Sequence, residues 1–365
     1  MNKQGIHPFV SFPPVGQNFP YYSWTFIPNT HLVDLIQKCH NRNDDVRVFA
    51  VTEPADHFES LYPMTDSEID EWKNLNVDVI YGSSNKYDYE KEYYRNRDGF
   101  RNLSPNRHFF PVYFLYHTFT EYSKRFNTPP QIEYKPEKYF TCYNRNTRPH
   151  RVILLHYLKE KGLLDSNYYS FFDSKYDRRS YNQMYPFNFY NVTVKENLLE
   201  DPDLVNENYY SYDHAFTSTA FQLVTETTDS HIFLTEKTFF PILAKKPFIT
   251  FGAQYTNTIL KDFGFKLYDK VFDYSFDEIE DTVERAKKIT EEINRITSVY
   301  TPSQIYEELK STVEYNYAVA IDILKNEKFI PEIVSKWDSL YSYSHIWRDH
   351  VASMLYRFKD HLDSY

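Results

Sequence analysis

Two short stretches of this chain concentrate side chains able to hold an anion. The first, Cys142-Tyr-Asn-Arg-Asn-Thr-Arg-Pro-His-Arg151, places Asn144, Arg145, Arg148, His150 and Arg151 within one connection. Residues 138–143 read as a strand and 149–161 as a strongly periodic helix closed by Gly162, so the cations fall between a strand end and a helix start. Pro149 suits a first turn, and Thr147 or Asn146 can cap it. Cations at a helix N-terminus oppose the dipole, an arrangement that makes sense where an anion sits. Guanidinium forks and free backbone N–H groups would then converge on diphosphate oxygens. Pairing with surface carboxylates is the alternative reading of the same arginines.

The second stretch is Thr235-Glu-Lys-Thr-Phe-Phe-Pro-Ile-Leu-Ala-Lys-Lys-Pro-Phe-Ile-Thr-Phe-Gly252, preceded by the strand Phe221-Gln-Leu-Val-Thr-Glu226. Thr235 reads as an N-cap, which puts Glu236, Lys237 and Thr238 in the first turn of a helix. A lysine there suits a phosphate, and a neighbouring glutamate can accept hydrogen bonds from two ribose hydroxyls. A plain capping arrangement with an incidental lysine fits equally well.

The rest of the composition narrows the chemistry. The chain has 365 residues and only seven glycines, at 5, 16, 82, 99, 162, 252 and 264. Their spacing excludes both the G-x-G-x-x-G turn and the G-x-x-x-x-G-K-[ST] loop, so any phosphate must be held by cationic side chains and helix starts. A net charge of -10 argues against binding nucleic acid over a broad basic surface. Residues 134–151 reverse that sign locally, with Lys135, Lys138, Arg145, Arg148 and Arg151 against Glu137 alone. The 35 tyrosines and 30 phenylalanines are spread along the chain and read mostly as core and cleft lining. Residues 87–101, where tyrosines accompany lysine and arginines, are a candidate stacking surface for an acceptor.

The elements that position these stretches alternate. Residues up to 22 read as an extended arm, 30–39 as a helix, 47–52 as a strand, 66–75 as a helix and 77–81 as a strand. Residues 85–107 read as a long loop, and 109–126 form an aromatic segment without a decisive period. Prolines at 129, 130 and 136 mark a domain boundary. A second alternating series follows: strands at 138–143, 168–172, 221–226 and 247–251, with helices at 149–161 and 236–245. Helical pattern then dominates at 277–296, 302–325, 331–341 and from 346 onward. The expected class is α/β, with a lobe over 1–134, a second over 135–276 and a helical region over 277–365 bracing both.

Together, Tyr-Asn-Arg-x-x-Arg-x-His-Arg and Thr-Glu-Lys-Thr followed by Pro-Phe-Ile-x-Phe-Gly resemble the donor-binding lobe of GT-B glycosyltransferases of the fucosyltransferase and exostosin type. The two motifs stand in the same order, about 90 residues apart, and the resemblance covers about 138–274. In detail it is most like glycosyltransferases encoded by tailed phages, some of which place sugars on hydroxymethylated cytosine in phage DNA. The resemblance implies two Rossmann-like lobes and sugar transfer from a nucleotide diphosphate sugar to an acceptor hydroxyl. That acceptor is 5-hydroxymethylcytosine in DNA, or else a glycan or small molecule. It implies that Lys237 and Arg151, with Arg145, contact the donor diphosphate, that Glu236 takes the ribose, and that Thr225 or Glu226 lies near the sugar or nucleoside. A non-catalytic α/β scaffold is the competing class, although a scaffold needs none of these residues.

Such transfer needs charge stabilisation for the departing nucleoside diphosphate and a base for the acceptor proton. No metal or other cofactor is expected, since the one Asp-x-Asp, Asp201-Pro-Asp203, suits a turn. Glu53, in Val-Thr-Glu-Pro at a strand end, is the candidate base, with Asp56, His57 and Glu59 on the same loop and ordinary turn chemistry as the alternative. Cys39 and Cys142 form no disulfide framework or zinc spacing. The first residues have no apolar leader, and no apolar run reaches the roughly 20 residues of a membrane span. A soluble cytoplasmic protein is therefore expected, in the host cytoplasm if phage-encoded.

Overall fold

The computed structural model describes residues 6–10, 47–52, 77–82, 106–126, 129–144, 147–171, 182–183, 185–189, 212–230 and 232–330. The chain divides into two compact units, Met1–His117 with Glu327–Asp360, and Thr118–Asn326 with His361–Tyr365.

The first unit holds a four-stranded parallel sheet in sequential order: β1 (Ile6–Val10), β2 (Arg47–Thr52), β3 (Val77–Gly82) and β4 (Asn106–Phe110). Its register runs Val10 opposite Val51, Val51 opposite Ile80 and Tyr81 opposite Phe109. β2 and β3 are rich in β-branched and aromatic residues and fall where the period places them. Residues 6–10 are not a free arm. Among the described residues they form an edge strand of the sheet, a position that tolerates Pro8. Residues 106–110, expected as loop end and ambiguous segment, form β4, and α1 (Tyr113–Arg125) follows after a turn at Pro111 and Val112. The helix hides its period because Phe114, Tyr116, Phe119 and Tyr122 are all buried. The expected helices at 30–39, 66–75, 331–341 and from 346 lie outside the described residues.

The second unit holds another four-stranded parallel sheet, ordered β6-β5-β7-β8, from β5 (Lys138–Asn144), β6 (Tyr168–Phe171), β7 (Thr219–Thr225) and β8 (Phe248–Phe251). Every residue of β7 and β8 is buried, as in a sheet covered on both faces. The helices are α2 (Pro149–Glu160), a short α3 (His214–Thr217), α4 (Glu236–Leu243), α5 (Thr282–Val299) and α6 (Pro302–Lys325). α2 packs against α5, and α6 packs against both α4 and β7.

Helix ends follow local chemistry. Gly162, at φ +68°, terminates α2 as expected. α4 ends without glycine, and Lys245 takes the left-handed position at φ 53°. Asp281 caps α5, and Thr301 with Gln304 forms a capping box on α6. The helix expected from residue 277 begins at Thr282, because Ser275–Glu278 is a separate 3-10 turn.

The strand order sets the site. From β5 the chain moves to one side to form β6, then returns on the other side of β5 to form β7. The switch point therefore lies between β5 and β7, where ligands enter parallel sheets beyond the strand C-termini.

Candidate functional site

Both stretches singled out by their chemistry follow the two strands at this switch point: α2 begins after β5 and α4 after β7. Arg148 occupies the N-cap position of α2 with extended backbone and makes no side-chain cap. The first intrahelical bond runs from Val152 N to Arg148 O at 3.1 Å, so the His150 and Arg151 N–H groups precede the helical ladder. No acidic residue occupies the first turn of α2.

The strand ends are joined below these helices. Thr225 Oγ1 donates to Asn144 Oδ1 at 2.6 Å, and the Asn144 N–H donates to Ser170 Oγ at 3.0 Å, linking β7, β5 and β6. Arg151 is 4% exposed, and its Nη2 donates to Glu226 O at 3.0 Å and Thr225 O at 3.3 Å. His150 Nε2 donates to Glu226 O at 2.9 Å, which fixes the proton on that nitrogen, while Nδ1 lies 3.4 Å from Asp229 Oδ1. Burial lowers the His150 pKa to about 4 against the opposing pull of Asp229. Cys142 is fully enclosed and its thiol is pushed up to about 12 by burial, which makes it inert as a nucleophile.

At the start of α4, Thr235 is the N-cap as expected, accepting from Lys237 N at 3.3 Å. Its hydroxyl donates to Glu226 Oε2 at 2.6 Å, and Thr238 Oγ1 donates to Glu226 Oε1 at 2.6 Å. Glu226, Thr235 and Thr238 are enclosed. Burial raises the Glu226 pKa while Lys237 and the hydroxyl donors pull it back. Glu236 and Lys237 remain at the surface of this cluster, with side chains 24% and 18% exposed. Lys237 Nζ donates to Glu236 Oε1 at 2.6 Å, Thr227 Oγ1 at 3.2 Å and Thr235 Oγ1 at 3.3 Å.

The expected site residues therefore separate into two groups. Lys237, Glu236 and the partly exposed Arg148 lie where a ligand can reach them. Asn144, His150, Arg151, Thr225, Glu226, Thr235 and Thr238 are enclosed and brace the strand ends and helix starts. Arg145 and Glu53 lie outside the described residues, as do Asp56, His57, Glu59, Asp201, Asp203 and residues 87–101.

Two residues of the site were not anticipated. Asp229 accepts from Tyr185 Oη at 3.0 Å and from Thr282 Oγ1 at 2.5 Å, besides facing His150. Arg285 is 1% exposed and donates to Gly252 O at 3.0 Å, Glu280 O at 2.9 Å, Ile279 O and Thr282 Oγ1, clamping the end of β8 to α5. The signal for Arg285 is its place on the apolar stripe of α5, in line with Ile289, Ile293 and Ile296. Asp229 sits among Thr227, Thr228 and Ser230, a composition that reads as an ordinary turn.

Two helix starts, one beside Lys237 and one beside Arg148, thus stand at the parallel-sheet switch point. Among the described residues there is no group of three or more His, Cys, Asp or Glu that could hold a metal ion, and no helix is long and apolar enough to cross a membrane. No protein-family model matches the chain, and no curated protein matches it either.

Proposed function

We propose that this chain is a GT-B-type glycosyltransferase that takes a nucleotide diphosphate sugar as donor, without a metal, and transfers the sugar to an acceptor hydroxyl. The observation that carries this reading is the convergence of two helix starts at the β5/β7 switch point, with Lys237, Arg148 and Glu236 within reach of a ligand. A parallel sheet in each compact unit also supports it.

In this reading Lys237 and the two helix dipoles stabilise the diphosphate charge that grows as the glycosidic bond breaks. They are held in place beforehand by Arg151, Glu226 and Asn144, so little reorganisation accompanies the reaction. Glu236 accepts from the ribose hydroxyls once Lys237 turns to the phosphate. Arg145 joins Arg148 on the diphosphate, and Glu53 removes the acceptor proton. The resemblance to phage enzymes supports hydroxymethylcytosine in DNA as the acceptor.

The deciding experiment is mass spectrometry of hydroxymethylated DNA incubated with the protein and a panel of UDP-, GDP- and CDP-sugars. A hexose or pentose mass increment on the base is expected. Absence of any increment, together with no thermal stabilisation by the corresponding diphosphates, refutes the proposal.

A further inference from the structure

A cleft of about 420 Å³ opens on the second unit between α5, the 3-10 turn Thr258–Phe263 and residues 267–274. It lies toward the other end of the sheet from the switch point. α5 begins beside the candidate site, where Thr282 bonds Asp229 and Arg285 holds Gly252. Its contribution to the cleft is Arg295, about 20 Å further along the helix axis. Just past Arg295, Thr297 O accepts from Tyr139 Oη at 3.0 Å, beside the start of β5 rather than its end. The floor is apolar: Leu267, Val271 and Phe272 are buried, and Phe272 meets Phe221 of β7 edge-on at 5.1 Å.

Bonds internal to the protein fix the walls. Arg295 donates to both carboxylate oxygens of Glu292, at 2.6 and 2.8 Å, and to Val271 O at 2.8 Å, so its charge is already met. Asp273 accepts from Ser275 N at 2.9 Å and Ser275 Oγ at 3.1 Å, and its own N–H donates to Glu292 at 2.8 Å. Lys261 and Lys270 differ: both are exposed on the cleft, and among the described residues neither joins a hydrogen bond or an ion pair. With Asp269, the cleft is lined by three cations and two carboxylates, a net of one positive charge in a chain whose net charge is -10. That balance suits a single anionic group and leaves a polyphosphate poorly compensated. Beside the lysines, Phe272, Tyr274 and Tyr300 present flat apolar surface, and the volume falls within the roughly 300–1,000 Å³ of small-molecule sites. We propose that this cleft binds a small monocarboxylate with an aromatic body, its carboxylate on Lys261 and Lys270 and its ring against Phe272, Tyr274 and Tyr300. This ligand site is separate from the one proposed for the donor and does not depend on it.

The test is isothermal titration of the full chain with 2-naphthoate, with its neutral amide 2-naphthamide, and with acetate. Naphthoate is expected to bind, naphthamide about fivefold more weakly, and acetate not measurably, because charge and ring each supply part of the affinity. Lys261→Gln and Lys270→Gln, both at exposed positions, should each weaken naphthoate about threefold, and together about tenfold. Lys288→Gln, at an exposed lysine of α5 outside the cleft, should leave its affinity unchanged. Equal binding of naphthamide, undiminished affinity in the double variant, an equal loss in Lys288→Gln, or no binding of naphthoate overturns the proposal. None of these outcomes bears on diphosphate binding, so the donor reading stands or falls separately.

Discussion

Replacing Lys237 with alanine tests the anion site most directly, because a large effect on binding is expected with little effect on stability. The ammonium is held by Glu236 at 2.6 Å, Thr227 at 3.2 Å and Thr235 at 3.3 Å, and the Lys237 side chain is 18% exposed. A charge-assisted hydrogen bond to a phosphate in such a site contributes about 1.5–3 kcal/mol. Leaving Glu236 costs some of this, about 0–1 kcal/mol for a pair open to solvent. The net loss in Lys237→Ala is then about 1–2 kcal/mol, or roughly a 5- to 30-fold weaker Kd for a nucleoside diphosphate. Stability should move little, because removing a cation from the positive end of α4, worth about 0.3–1 kcal/mol, is offset by losing the attraction of Lys237 for Glu236 and the buried Glu226. Titration calorimetry at low and high salt, paired with thermal melts, measures both quantities, and the difference between wild type and variant should shrink as salt rises. Unchanged affinity at low salt would refute the phosphate role of Lys237. Loss of affinity with a matching loss of stability would make the lysine a structural residue.

Three further outcomes are expected. Arg285→Leu should destabilise the fold by about 3 kcal/mol in urea denaturation, since it leaves the carbonyls of Gly252, Ile279 and Glu280 without their buried donor; a loss below about 1 kcal/mol would contradict the clamp. Burial lowers the His150 pKa to about 4, so the unfolded chain binds the proton more readily than the folded one. Its contribution is full above about pH 6.5 and declines toward pH 4 by roughly 2–3 kcal/mol, so His150→Gln should flatten the acid limb of the stability profile, and an unaltered limb would show that other groups dominate it. Glu53→Gln should leave diphosphate binding unchanged and abolish sugar transfer, whereas retained transfer would move the base to Asp56 or Glu59.

Much of the fold could be read from the chain because its periods are clean. β2, β5 and β7 are short runs rich in β-branched and aromatic residues, and α6 lies between Pro302 and Lys325 as its pattern requires. β1 was hidden because prolines around it suggest an arm, and its strand character depends on pairing with β2, a tertiary partner absent from local pattern. α1 was hidden because burial on several faces erases the polar half of its period. At the candidate site, residue type singled out the two helix starts beside the switch point but not the direction of each side chain. Arg151 and Glu226 have the chemistry of ligand-binding groups, yet their side chains point into the strand ends and the neighbouring helix start. Only the folded sheet shows that direction.

The bonds from α2 to Glu226 join residues 75 and 76 positions apart in the chain. Such a closure cannot form in a fragment holding β5 and α2 alone. It requires β7 to have docked beside β5, so the cradle closes only once this long-range pairing has formed. A ligand seated there would stabilise the second unit as a whole and leave its frayed or partly folded forms unaffected. Diphosphates should therefore slow proteolysis across the second unit, including α6, which packs against α4 and β7 without contributing to the cradle's hydrogen bonds.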